Sequence, residues 1–79
     1  MAKKSGKRAN SFDHHIAGRA AAKRRERGLS QTDVANALGV TFQQVQKYEK
    51  ATNRISAGRL WQMAKFFKVP IDYFFEGLK

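Results

Sequence analysis

The chain has no cysteine, only six acidic residues and no long apolar run among its 79 residues. Without cysteine it can form neither a disulfide staple nor a thiolate metal site, so its fold must hold by packing in a reducing setting, which fits the cytoplasm. No segment approaches the roughly 18 apolar residues of a membrane span, and no apolar stretch follows the basic N-terminus as an export signal would require. Ser-His-Asp and Cys-His sets are missing as well, and the acids Glu26, Asp33, Asp72 and Glu76 read as caps, ion pairs and surface charge. His14 and His15 are neighbours, which on a helix sets their rings about 100° apart and gives no shared metal face. Neither an enzyme nor a cofactor or small-molecule site is expected.

What is abundant is positive charge. Sixteen Lys and Arg against six Asp and Glu give a formal net charge of +10, a field that attracts polyanions and makes nucleic acid the first partner to consider. The length allows a single domain, and a core this small leaves room for a partner chain to complete it. Residues 1–12, MAKKSGKRANSF, carry Lys3, Lys4, Lys7 and Arg8 with little apolar content and read as a disordered basic arm, either a solubilising tail or a DNA-contacting one. Residues 13–79 form the expected domain.

Helix signals follow in order. Asp13 is placed to cap a first helix over about 14–27, with Ile16 and Ala20 on one face and Gly28 ending it. Ser30 opens a second helix over about 31–38, with Asp33 at the capping-box position and Val34, Ala35 and Leu38 as its apolar stripe. Gly39 supplies a left-handed close, Val40 plugs the turn, and Thr41 caps a third helix over about 42–50. Ser56 opens a fourth, about 57–67, with Leu60, Met63, Ala64 and Phe67 facing inward. Pro70 starts a last short turn, about 71–76, holding Ile71, Phe74 and Phe75, with Phe67 and Phe74 assigned to the core. The prediction is an all-α fold of five helices.

Two short helices joined at a glycine turn, the second mostly polar outside, have the grammar of a DNA-reading helix-turn-helix. Only Val45 and Tyr48 of the third helix look inward; Phe42, Gln43, Gln44, Gln46 and Lys47 remain outside, and glutamine amides and lysine ammonium groups can satisfy base edges in a major groove. A polar outer face alone is usually just solvated, but the glycine turn and the basic excess argue otherwise. The segments RRERGLSQ (24–31), LGVT (38–41), QQVQKYE (43–49), NRIS (53–56) and VPIDYFF (69–75) together resemble the Cro/C1-type (XRE) helix-turn-helix family of phage repressors and bacterial regulators, over about residues 13–77. That resemblance implies a five-helix, lambda-repressor-like domain that binds double-stranded DNA as a transcriptional regulator. By position it implies base reading by Phe42, Gln43 and Lys47, with Gln44 at the edge of the surface. It implies phosphate contacts at Gln31, Thr41, Lys50, Asn53 and Arg54, and a structural ion pair between Arg24 and Glu49.

Three residues depart from the family pattern. Ala51 stands where glycine commonly ends the third helix, Phe42 either meets a thymine methyl or packs onto the second helix, and Lys23 holds an often apolar position, its stem over the core and its ammonium in solvent. Trp61, Phe66, Ile71, Tyr73 and Phe75 are more apolar surface than the last two helices can bury, and mark either a homodimer interface or internal packing. The competing readings are a protein-interaction module, an architectural DNA binder without sequence preference, and a targeting piece of a larger enzyme, the last disfavoured by a start and end with no visible link to a catalytic domain.

Overall fold

The computed structural model describes residues 10–78. It contains helices α1 (Ser11–Glu26), α2 (Gln31–Leu38), α3 (Phe42–Glu49) and α4 (Ala57–Phe67), followed by a 3-10 helix (Ile71–Phe75), with no strand among the described residues. The all-α expectation holds, but the fifth element is a 3-10 turn and not an α-helix. It has no side-chain cap, and its five residues are confined between the extended Pro70 and the left-handed Gly77, too short a stretch for the cooperative α-helical ladder.

α1 begins earlier than the sequence suggests. Asn10, not Asp13, is the N-cap: the Asn10 side chain accepts from the Asp13 N–H at 3.0 Å, and the Asp13 carboxylate accepts from the Asn10 N–H at 2.9 Å. This reciprocal box satisfies two orphan amides where a lone Asp13 cap would satisfy one. Ser11 and Phe12 therefore belong to the helix and not to the arm, whose residues 1–9 lie outside the described residues.

The other start signals fall where expected. Ser30 and Asp33 form a second capping box, with Asp33 N on Ser30 Oγ at 3.0 Å and Ser30 N on Asp33 Oδ2 at 2.8 Å. The Ser30 backbone N–H, and then its side chain, hold the Asp33 carboxyl below the usual carboxylate range. Thr41 and Ser56 cap α3 and α4 by accepting from Gln44 N and Arg59 N, both at 3.1 Å. Gly28 and Gly39 close α1 and α2 with φ of +70° and +73°.

α1, α2, α3 and α4 enclose one core. Val34, Leu38, Val45, Tyr48, Leu60, Met63, Phe67 and Phe74 meet there, with Ala20 letting α1 approach closely and Ile16 and Val40 packing at its margin. Phe67 and Phe74 are fully buried, as the sequence indicates. The Lys23 side chain keeps 11% of its surface, its ammonium 2.9 Å from Oε1 of the largely exposed Glu26 and 4.8 Å from the Tyr73 ring centroid. The ring and the carboxylate both favour the cation there, and the Lys23 hydrogen bond and charge lower the Glu26 carboxyl below its ordinary value.

Two glycines separate backbone strain from helix propensity. Gly39 is left-handed and Gly18 is helical, and a Cβ at either would meet nothing within 4 Å. Gly39→Ala should therefore lose about 1 kcal/mol through strain alone, whereas Gly18→Ala should gain about 0.5–1 kcal/mol through helix propensity. Urea denaturation of the two variants should show midpoints displaced in opposite directions; equal shifts would contradict this account of the turn.

Candidate nucleic-acid interface

The outer face of α3 follows from its apolar spacing. Val45 and Tyr48 are buried, which turns Gln43 and Lys47, one helical turn apart, away from the core, and both are exposed. Phe42 opens the helix with 40% of its surface accessible, so it is partly packed and still presents a face to solvent. Gln44 and Gln46 are half-buried at the margins. No acid lies in the first turn of α3, so the positive end of the helix dipole is uncompensated there and favours an anion.

α3 is held to the rest of the domain at its C-terminal end. Arg24 grips Glu49 with two bonds, Nε to Oε2 at 2.6 Å and Nη2 to Oε1 at 3.1 Å, while Nη1 donates to the Leu29 carbonyl at 2.9 Å. The two side chains keep 13% and 9% of their surface, so this is a largely desolvated fork that ties α1 to α3 and to the turn before α2. Gln31 joins it, its Nε2 donating to Glu49 Oε1 at 2.9 Å. The residue expected to meet phosphate thus also has a structural bond. Its backbone N–H, first in α2, stands at the helix end where amides lack intrahelical acceptors.

The loop after α3 carries the remaining expected phosphate residues. Ala51 closes the helix in the left-handed conformation at φ +59°, so the family glycine's geometry is kept without the glycine. Thr52 N and Asn53 N both return to the Lys47 carbonyl, at 2.9 and 3.3 Å, folding the loop back on α3. Lys50 is exposed, Asn53 half-buried, and Thr41 is exposed with its hydroxyl engaged as the α3 cap. Arg54 Nε donates to Asp13 Oδ2 at 3.0 Å, a link from this loop to the start of α1 that the sequence did not reveal.

Two further ties were also missed. Arg59 Nη1 donates to the Leu38 carbonyl at 3.0 Å and anchors the helix-turn-helix turn to α4. Arg19 donates to the Tyr73 carbonyl at 2.8 Å and to Glu76 Oε1 at 2.6 Å, and lies 3.8 Å from the Tyr73 ring centroid. Such long-range side-chain partners leave no periodic mark in a sequence. They also divide the five aromatic and apolar residues expected at an interface: Tyr73 and Ile71 are half-buried against the core, whereas Trp61, Phe66 and Phe75 are 57%, 36% and 41% exposed.

Two short helices about a left-handed glycine, with a polar outer face on the second, define a helix-turn-helix domain. Residues 21–74 match the family model HTH_3, a helix-turn-helix, and the chain belongs to this Cro/C1-type (XRE) family, a non-enzymatic DNA-binding class. An uncharacterised HTH-type transcriptional regulator of Sinorhizobium fredii is 50% identical over 70 residues, covering 89% of this chain and 49% of the relative. An uncharacterised transcriptional regulator in the ATPase CF(0) region of Rhodospirillum rubrum is 49% identical over 67 residues, 85% of this chain and 62% of the relative. The chain spans about half the length of the first of these and of similar rhizobial regulators. Among solved structures, an HTH_3 family transcriptional regulator from Vibrio cholerae superposes with TM-score 0.74 at 26% identity, over 81% of this chain and 36% of that one. The restriction-modification controller protein C.AhdI from Aeromonas hydrophila gives 0.77 at 18% identity, over 82% and 98%, a likeness of fold. Among the described residues no helix is long and apolar enough to cross a membrane.

Arg24→Ala would strip a desolvated carboxylate of its cation and leave the Leu29 carbonyl without its donor. We expect a loss of about 3 kcal/mol, compared with ~1 kcal/mol or less for Arg54→Ala at the surface. Thermal unfolding of both variants by circular dichroism checks the ordering; comparable melting temperatures would mean that the Arg24–Glu49 fork is not structural.

Proposed function

We propose that this chain is the sequence-specific double-stranded DNA-binding domain of a transcriptional regulator, which represses by occupying an inverted-repeat operator as a homodimer. The observation that carries the reading is the outward face of α3, where exposed Phe42, Gln43 and Lys47 stand on a helix capped at its start by Thr41 and tied at its end to Arg24. Gln43 lies in the first turn, where a helix tip enters the major groove, and its carboxamide can donate to and accept from adenine; Lys47 can donate to guanine. Phe42 can meet a thymine methyl, and Gln44 borders the surface. Gln31, Thr41, Lys50, Asn53 and Arg54 frame this helix on the backbone side and take phosphates, fixing register without reading sequence.

Exposed Trp61, Phe66 and Phe75 support the dimer, because large apolar groups left in water on so small a domain favour a symmetric contact. Ile71 and Tyr73 would support that contact from beneath. Two recognition helices related by two-fold symmetry read half-sites about 10 base pairs apart or a multiple of this. The relatives named as transcriptional regulators support the regulatory role, and a bound dimer needs no catalytic chemistry to block a promoter.

The test is a matrix of Gln31→Ala, Gln43→Ala and Lys47→Ala against every single-base variant of a duplex selected from random DNA. Gln43→Ala and Lys47→Ala should each cost ~1–3 kcal/mol on the best site and relax preference at one base pair. Gln31→Ala should weaken all sequences alike. Wild-type affinity should fall about 10³–10⁵-fold from 50 to 200 mM salt if ~6–10 phosphates are neutralised. If both α3 variants stay folded and weaken every duplex equally, the architectural reading without base preference replaces this one. Monomeric sedimentation at high micromolar concentration, with one chain per site, would refute the dimer.

A further inference from the structure

Residues 1–9, MAKKSGKRA, lie outside the described residues, but the structure fixes where they join the domain. They hold Lys3, Lys4, Lys7 and Arg8, and no acid. Their point of attachment is Asn10, the N-cap of α1, whose N–H donates to Asp13 Oδ2 at 2.9 Å and whose side chain accepts from the Asp13 N–H at 3.0 Å. The same Asp13 Oδ2 accepts from Arg54 Nε at 3.0 Å. One carboxylate thus joins the attachment point to the loop after α3, whose path is set by the Thr52 and Asn53 amides returned to the Lys47 carbonyl. The basic segment therefore leaves the domain at the rim of the candidate interface.

We propose that residues 1–9 are a second DNA-binding element, whose lysines and arginine meet backbone phosphates flanking the stretch covered by α3. This rests on the reading of α3 and the loop after it as the DNA face. An extended chain spans at most ~3.3–3.6 Å per residue, so the segment reaches about 30 Å from Asn10, further than the ~12 Å width of a major groove. Lysine and arginine separated by small Ser, Gly and Ala residues suit a phosphate track, which asks for charge and close approach and for no particular base edge. Fixing the segment on DNA costs conformational entropy, and the counterions released as phosphates are neutralised offset it. A basic tail acting only through the overall field would raise encounter rates and hold no defined place on the duplex. A segment rooted beside the loop after α3 has such a place, and that difference separates a binding element from a solubilising tail.

The chain has no cysteine, so a single introduced one is a unique point of attachment. The experiment attaches an iron–EDTA cleavage reagent to Ser5→Cys and, in a second protein, to Thr52→Cys in the loop after α3, and maps strand scission on the selected duplex. Scission from residue 5 should be confined to one stretch, within about nine base pairs of that from residue 52. In parallel, a variant carrying Lys3→Ser, Lys4→Ser, Lys7→Ser and Arg8→Ser is compared with the parent chain over a range of salt, on the selected duplex and on a scrambled one. These substitutions leave the Asn10–Asp13 box intact, so the melting temperature should not move. The salt slope should fall by about three per bound chain, and affinity about tenfold or more near ~0.1 M salt, alike on both duplexes. Scission from residue 5 that is absent or spread evenly, while residue 52 cuts in one place, would make the segment a solubilising tail and overturns the proposal. An unchanged salt slope overturns it too, and a changed base preference in the four-fold variant would replace phosphate contact by groove reading. If residue 52 itself gives no localised scission, the loop does not lie on DNA, and the underlying reading fails together with the proposal.

Discussion

The fork between Arg24 and Glu49 is the constraint on which the interface depends. α3 is eight residues long, too short to be stable as an isolated helix. Its buried side chains Val45 and Tyr48 fix which face it turns inward, but two apolar contacts leave its tilt loosely set. The fork supplies the missing restraint at the C-terminal end, where one guanidinium bonds a carboxylate on α3, the Leu29 carbonyl in the turn and, through Glu49, the carboxamide of Gln31 on α2. The two helices of the proposed DNA interface are thereby referred to a common point on α1. A second restraint acts at the turn, where Arg59 holds the Leu38 carbonyl from α4.

Local chemistry was legible in the sequence at the starts of α2, α3 and α4, where the capping partner is three residues away. Ser30 with Asp33, Thr41 with Gln44 and Ser56 with Arg59 are bonds within one helical turn, and each helix start they announce is found. The same logic misplaced the start of α1, because Asp13 suits an N-cap as well as the third position, and only the reciprocal bond with Asn10 distinguishes the two. Ala51 shows the converse limit. Its left-handed φ is set by the loop's return to the Lys47 carbonyl, and the residue's own preference does not reveal it. The Arg24–Glu49 pair was reached through family resemblance and not through spacing, while Asp13–Arg54, Arg59–Leu38 and Arg19–Tyr73 join residues remote in sequence and left no sign there.

The basic residues of the candidate interface and the exposed aromatic residues of α4 and the 3-10 helix lie on different elements of the molecule. Lys47, Lys50 and Arg54 cluster in sequence on α3 and the loop after it, and the acids of that region, Glu49 and Asp13, are each bonded to an arginine. Trp61, Phe66 and Phe75 remain exposed on α4 and the 3-10 helix. Arg19 and Tyr73 fasten that 3-10 helix, which carries Phe75, to α1.

The central claim is that α3 reads bases and does not merely contribute charge. The most direct measurement is the ratio of wild-type affinities for a duplex selected from random sequence and for its scrambled counterpart, at one fixed salt concentration. Phosphate contacts are common to both duplexes and cancel, so the ratio reports base and shape readout alone. A sequence reader of this kind should show a ratio of about 10³ or more. A ratio near one would mean that the outer face of α3 is only solvated and that charge accounts for all binding.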